Sequence, residues 1–143
     1  MTEQDNIKVA RDYVAAYDAK NWDKYAVLTT PDVIYEERPT QRRLEGRGQV
    51  IEAHQGWARA FPDSKGKVTR CFGNGELVAL EVTWTGKHTG PMTTPSGTIP
   101  PTGKPISVPS AMVLTFQGGK VKEVTQYFDM ADLLRQVGAT PKG

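Results

Sequence analysis

Cysteine is nearly missing from these 143 residues, with Cys71 standing alone. A single thiol excludes a disulfide framework and a cysteine metal cage. Histidine is scarce too: only His54 and His88 are present. They do not sit at metal-binding spacing, and neither has a carboxylate pair beside it, so no metal site is expected. Charge of one sign is not in excess, because the formal net charge is +2. That leaves no electrostatic footprint for nucleic acid. The densest basic cluster, Arg42, Arg43 and Arg47, is interrupted by Glu45 and reads as a solvated loop rather than a phosphate site. No apolar run approaches the roughly 18 residues of a membrane span. The N-terminus, MTEQDNIK, is polar and acidic, unlike a secretory leader. There is no glycine-rich phosphate loop and no arrangement that suggests a covalent nucleophile. A soluble cytoplasmic chain is expected, with residues 1–143 forming one domain and no repeat or linker.

The order of periodicities gives the architecture. Ile7, Ala10, Tyr13, Val14 and Tyr17 recur at three and four, which predicts a first helix. Asn21 can cap a short second helix, with Trp22, Tyr25 and Ala26 on one face and Pro31 as its stop. Val33 to Arg38 reads as a strand. A third helix follows Gly48, carrying Val50, His54, Trp57, Ala58 and Phe61 on one stripe and ending at Pro62. The period then changes to two. Strands are expected over 65–72, 76–89, 106–117 and 121–128, with turns at Gly73-Asn74-Gly75 and Gly118-Gly119. A last helix should run from Asp129 to Val137, ended by Gly138. Helices first and long strands after predict a segregated α+β fold with an antiparallel sheet. Between two strands lies TGKHTGPMTTPSGTIPPTGK, with four prolines and four glycines, which should be neither helix nor regular ladder.

A few polar residues fall on apolar faces. Counting by twos from Val78 through Trp84 reaches His88, so His88 is either a pocket residue or a strand-end histidine bonded to a loop carbonyl. His54 lies on the stripe of the third helix, as a core histidine or a functional one. Asp129 ends a strand and precedes Met130, Leu133 and Leu134. It is either an N-cap or a carboxylate at a cavity edge, made basic by burial among Tyr127, Phe128 and Trp84. Tyr13, Tyr17 and Tyr35 carry hydroxyls on apolar bodies, and one of them can orient a ligand. Trp57 reads first as packing. Met112 shares the apolar face of its strand, while Ala111 and Val113 make the other face apolar as well. A sheet apolar on both faces needs cover on both, which points to a homodimer.

AFPDSKGKV, VTWTGKHTGP, IPPTGK and VKEVTQYFDMADLLRQVGA occur in this order. In this the chain resembles the SnoaL-like polyketide cyclases of the nuclear-transport-factor-2-like superfamily, from the first helix to Gly138. The resemblance implies a curved antiparallel sheet wrapped around N-terminal helices, an α+β roll with a cone-shaped pocket. It also implies cofactor-independent acid/base chemistry on a small apolar carbonyl compound, such as intramolecular aldol ring closure. Asp129 would be the acid/base and His88 a nearby catalytic partner. Tyr13, Tyr17, Tyr35, His54, Trp57, Trp84, Met112 and Tyr127 would line the pocket. The segment between His88 and Pro100 is longer than the family pattern and should border the pocket mouth. The same scaffold hosts isomerases, hydratases, hydroxylases and non-catalytic binding domains.

Overall fold

In the computed structural model, which describes residues 2–139, three helices precede most of a sheet that curls over them. α1 spans Glu3–Asp18, α2 Trp22–Val27 and α3 Arg47–Ala60. The strands are β1 Thr29–Glu37, β2 Arg42–Glu45, β3 Lys65–Asn74, β4 Leu77–Lys87, β5 Met92–Thr94, β6 Gly97–Ile99, β7 Pro105–Gln117 and β8 Lys120–Phe128. A short helix α4, Met130–Gln136, closes the described chain. The main sheet runs β2-β1-β8-β7-β4-β3, and β5 pairs only with β6. No helix among the described residues is long and apolar enough to cross a membrane.

Local chemistry fixes the ends of the helices. Thr2 and Asp5 form a reciprocal capping box that satisfies two N–H groups at the start of α1. At its other end Lys20 N–H donates to Tyr17 O and Asn21 N–H to Ala16 O, each at 2.9 Å. This double bond pattern requires a left-handed residue, a place usually held by glycine. Here it is Lys20, with φ 53°. Asn21 then accepts from Lys24 N–H and starts α2.

β7 is the spine of the sheet, paired with β4 from Pro105 to Thr115 and with β8 from Ser110 to Gln117. Its even-numbered side chains Val108, Met112, Leu114 and Phe116 are buried, as are Val78, Leu80 and Val82 of β4. Met112, Leu114 and Phe116, with Val78, Leu80 and Val82, pack on Ala10, Tyr13 and Val14 of α1 to form the main core. A second cluster gathers Ala60, Phe61, Met92, Ile106, Val108, Leu133 and Val137. The sheet twice departs from the expected pattern. β1 pairs parallel, not antiparallel, with β8. In the β7–β8 ladder Thr115 faces Glu123 but Phe116 faces Val121, so Lys122 is an extra residue. Pro31 does not stop α2, which ends at Val27. Pro31 lies within β1, where the ladder to β8 is irregular between Thr29 and Ile34 and no N–H is demanded. Arg42 and Arg43 are not in a loop; they form the edge strand β2, where Arg42 pairs with Glu37 and Arg43 with Glu36.

The proline-rich connection does contain a small ladder, the β5–β6 hairpin. It is tied to α3 by Thr89 N–H and Gly90 N–H, both donating to Ala60 O. A Cβ on Gly90 would stand 1.8 Å from Arg59 O, so only glycine lets the two backbones meet. Gly90→Ala should therefore cost about 1–3 kcal/mol in chemical denaturation. A melt and denaturation midpoint equal to wild type would show that the connection does not rest on α3 as described.

Candidate functional site

A partly enclosed cavity lies where the two hydrophobic clusters meet. Its wall includes Tyr13, Tyr17 and Val14 of α1, Tyr25 of α2, Tyr35 and Glu37 of β1, and His54 and Trp57 of α3. The remainder comes from Phe61, Ser64, Trp84, Ile106, Val108, Met112, Gln126, Phe128 and Leu133. About 80 Å³ of it is open to the centre of a water molecule. One water needs about 10–15 Å³ by that measure, so the space suits several waters or a small compound.

Among the described residues Glu37 is the one carboxylate in this wall, and its residue is only 1% exposed. A buried charge is tolerated when its lone pairs are filled. Oε1 accepts from Arg42 Nη2 at 2.9 Å, from Arg42 Nε at 3.2 Å and from Thr40 Oγ1 at 2.6 Å. Oε2 accepts from Trp57 Nε1 at 2.9 Å, and the Tyr35 oxygen, whose proton goes to Gln126, lies 3.4 Å from it. Trp57 and Tyr35 line the cavity while Arg42 and Thr40 do not, so Oε2 is the oxygen on the cavity side.

The other polar groups of the wall are neutral. Burial pushes the His54 pKa down to about 3, and the charge of Arg42 adds to the effect. Tyr35, Tyr25 and Tyr17 stand edge-on to its ring, at 4.7, 5.1 and 6.1 Å between centroids. Burial raises Tyr13, Tyr25 and Tyr35 well above the ordinary tyrosine value and Tyr17 to about 12. Tyr25 donates to Tyr13, which leaves the Tyr13 proton free for a ligand. Tyr35 donates to Gln126 Oε1, which leaves the Gln126 amide N–H groups as donors at the wall.

The residues expected from sequence divide into two groups. Tyr13, Tyr17, Tyr35, His54, Trp57, Trp84 and Met112 meet in the cavity; Tyr127, Asp129 and His88 lie outside its lining. Counted without interruption from buried Val121, residues 127 and 129 would point inward. The extra residue Lys122 reverses that parity. Gln126 is therefore buried, whereas Tyr127 is 48% exposed. Asp129 is exposed as well, and its Oδ1 accepts from Asp132 N–H at 3.0 Å as the N-cap of α4. His88 is fully buried but packs on Phe61, in the second cluster's neighbourhood. Its Nδ1 accepts from Thr102 N–H at 3.3 Å, which places the proton on Nε2, and Nε2 has no hydrogen-bond partner among the described residues. Burial lowers its pKa, with the Gly90 backbone acting the other way. His88 thus fastens the connection at Thr102. Among the described residues no group of three or more His, Cys, Asp or Glu is placed to hold a metal ion.

The sequence reading missed Glu37, Gln126, Tyr25 and Ser64 as wall residues. A signal existed for Glu37: Val33, Tyr35 and Glu37 are successive same-face positions of β1, all buried.

The His54 shift carries a pH consequence. Its folded pKa lies below the ordinary 6.5, so the unfolded chain takes up the proton first as pH falls. Stability from this group is complete above about pH 6.5 and is lost toward pH 3, at about 1.4 kcal/mol per unit. Between pH 6.5 and about 4.5 wild type should lose roughly 2–3 kcal/mol more than His54→Phe in urea denaturation. Parallel stability–pH curves for the two proteins would contradict this burial.

Comparison with known proteins agrees with this architecture. The family model for SnoaL-like polyketide cyclase matches residues 7–137. A SnoaL-like polyketide cyclase-type protein from Jannaschia sp. superposes with a TM-score of 0.86 at 21% identity, covering 97% of this chain and 95% of its own. TsrD from Streptomyces laurentii gives 0.82 at 19%, over 97% and 98%. A protein with ketosteroid isomerase-like fold from Catenulispora acidiphila, in complex with trimethylamine, gives 0.77 at 20%, over 93% of each chain. At these identities the structural likeness speaks for the fold. No curated protein matches the sequence. The fold is of the nuclear-transport-factor-2-like, ketosteroid isomerase-like type, and by the match along residues 7–137 the chain belongs to the SnoaL-like polyketide cyclase family.

Proposed function

We propose that the protein is a cofactor-independent acid/base enzyme of the polyketide-cyclase type, acting on a small, mostly apolar carbonyl compound in the cytoplasm. The observation that carries this reading is a buried carboxylate, Glu37, set into the wall of a cavity otherwise lined by apolar and neutral groups. In the first step Glu37 Oε2 removes a proton from the carbon beside a carbonyl, and the electron pair moves onto the carbonyl oxygen. In this reading neutral donors of the wall, Tyr13 and Gln126, receive that oxygen's charge. In ring closure the enolate carbon then attacks a second carbonyl, and protonated Glu37 returns the proton to the new alkoxide. Asp129, the residue the family resemblance favours, keeps its cap on α4 and takes no part.

Non-catalytic binding is a second reading, favoured by the number of donors already on Glu37. A carboxylate among aromatic rings also suits a cation, and the Catenulispora protein holds trimethylamine. Arg42, however, already neutralises Glu37 and its charge acts on His54, so a neutral ligand fits this cavity better.

Deuterium wash-in to 2-tetralone, followed by NMR, separates these readings. Wild type should exceed buffer, Glu37→Gln should lose about 100-fold or more, and Asp129→Ala should keep the rate. Asp129→Ala should instead lose about 1 kcal/mol of stability through its cap. Wild type no faster than buffer would end the catalytic reading, and an active, folded Glu37→Gln would end the role given to Glu37.

The outer face of the sheet supports a homodimer. Phe72 pairs with Ala79 and Ala79 with Val113, while the neighbouring row sets Ala111 against Tyr127. Phe72, Val113 and Tyr127 are exposed, making an apolar band across four strands. Light scattering at micromolar concentration should give twice the 15.7 kDa chain mass, and Val113→Lys should halve it. A monomeric wild-type mass would remove this association.

A further inference from the structure

Lys20 stands where the backbone asks for glycine. Its left-handed φ of 53° closes α1, and a side chain there is disfavoured. Such a residue persists when its surroundings hold it. The Lys20 ammonium lies 4.2 Å from the centre of the Tyr17 ring. It donates to Ser64 O at 2.6 Å and to Ser64 Oγ at 3.3 Å. Ser64 Oγ in turn meets the Tyr17 hydroxyl at 2.7 Å, and both Ser64 and Tyr17 line the cavity. Ser64 and Tyr17 are buried, while Lys20 is only partly covered. The three side chains therefore form a hydrogen-bonded line from the surface to the cavity wall.

Between Ser64 Oγ and the Tyr17 hydroxyl either group can donate, and the ammonium at the surface end biases the choice. An ammonium only donates, so Lys20 occupies a lone pair of Ser64 Oγ. With one lone pair engaged by a positive donor, Ser64 Oγ is a poorer acceptor and a better donor, which favours giving its proton to the Tyr17 oxygen. The Tyr17 proton is left over, and the cavity is the space open to it. We propose that Lys20 is a positioning residue which, through Ser64, turns the Tyr17 hydroxyl proton into the cavity to receive a ligand's carbonyl oxygen. This rests on the cavity being a carbonyl site. Hydrogen bonds aligned in this way polarise one another, and the positive end favours negative charge growing on the bound oxygen. Burial lowers the Lys20 pKa, and Asp18 and Asp63 oppose that effect, keeping the ammonium form that the line needs.

Two measurements test the line. Lys20→Gly suits the backbone and should fold, yet it removes the donor. With tyrosine labelled at Cζ, the Tyr17 resonance should move in ligand-free Lys20→Gly and in Ser64→Ala, and stay in place in Lys20→Arg. In the 2-tetralone assay Lys20→Gly should slow wash-in about tenfold, less than the loss of a whole oxyanion donor. Ser64→Ala should do the same, and the double variant should be no slower than either. A folded Lys20→Gly with an unmoved Tyr17 resonance overturns the proposal, as does wild-type wash-in by that variant. If wild type itself fails to exchange 2-tetralone, the carbonyl reading falls, and the ligand-free resonance still decides whether Lys20 orients Tyr17.

Discussion

One extra residue in the last strand governs the character of the site. Lys122 has no partner in the β7–β8 ladder, and every side chain after it changes face. Gln126 turns inward and meets the Tyr35 hydroxyl. Phe128 turns inward beside Trp57, their ring centroids 6.0 Å apart. Tyr127 and Asp129 turn outward. The carboxylate that would have entered the cavity is released to start α4. The wall receives an amide in its place, and among the described residues the one anion left there comes from the neighbouring strand, β1.

Regular periodicity made much of this structure readable from sequence. Uninterrupted alternation in β4 and β7 placed Trp84 and Met112 inward, and helical spacing placed Tyr13, Tyr17, His54 and Trp57 on inward stripes. The failures come where the period breaks or where distance, not direction, decides. Tyr127 and Asp129 were lost to the bulge. His88 was correctly counted inward, but Phe61 lies against it, and its bonds run to Thr102. Ser64 reaches the cavity from a connecting segment, where no period applies. Glu37 obeyed its parity with Val33 and Tyr35, and was overlooked because a charged residue at a strand end usually faces water.

Glu37 also shows how such a charge is held. The cost of removing a carboxylate from water is several kcal/mol even after relaxation. It is offset by charge-assisted bonds from Arg42 and by Thr40 and Trp57, which occupy both oxygens. These partners come from β2, the turn before it, and α3. The carboxylate thus ties three elements together beside the cavity, and its orientation is set before any ligand arrives. Such preorganisation is what a site needs when negative charge must move between a fixed acid and a bound oxygen.

The remaining groups of the wall extend this logic. Burial moves His54 down and the four lining tyrosines up, so that all five stay uncharged across the physiological range. Among the described residues formal charge touches the wall at Glu37 with its Arg42 counter-ion and at Lys20 behind Ser64. Between them the medium is apolar, and Coulomb interactions there are weakly screened. A permanently charged ligand would have to shed its water without finding an unneutralised partner. A neutral carbonyl compound avoids that cost on entry. On the proposed acid/base reading it develops charge only as its proton leaves, at the moment when fixed donors and a nearby ammonium are worth most. The cavity is therefore better matched to charge that appears during a reaction than to charge carried in by a ligand.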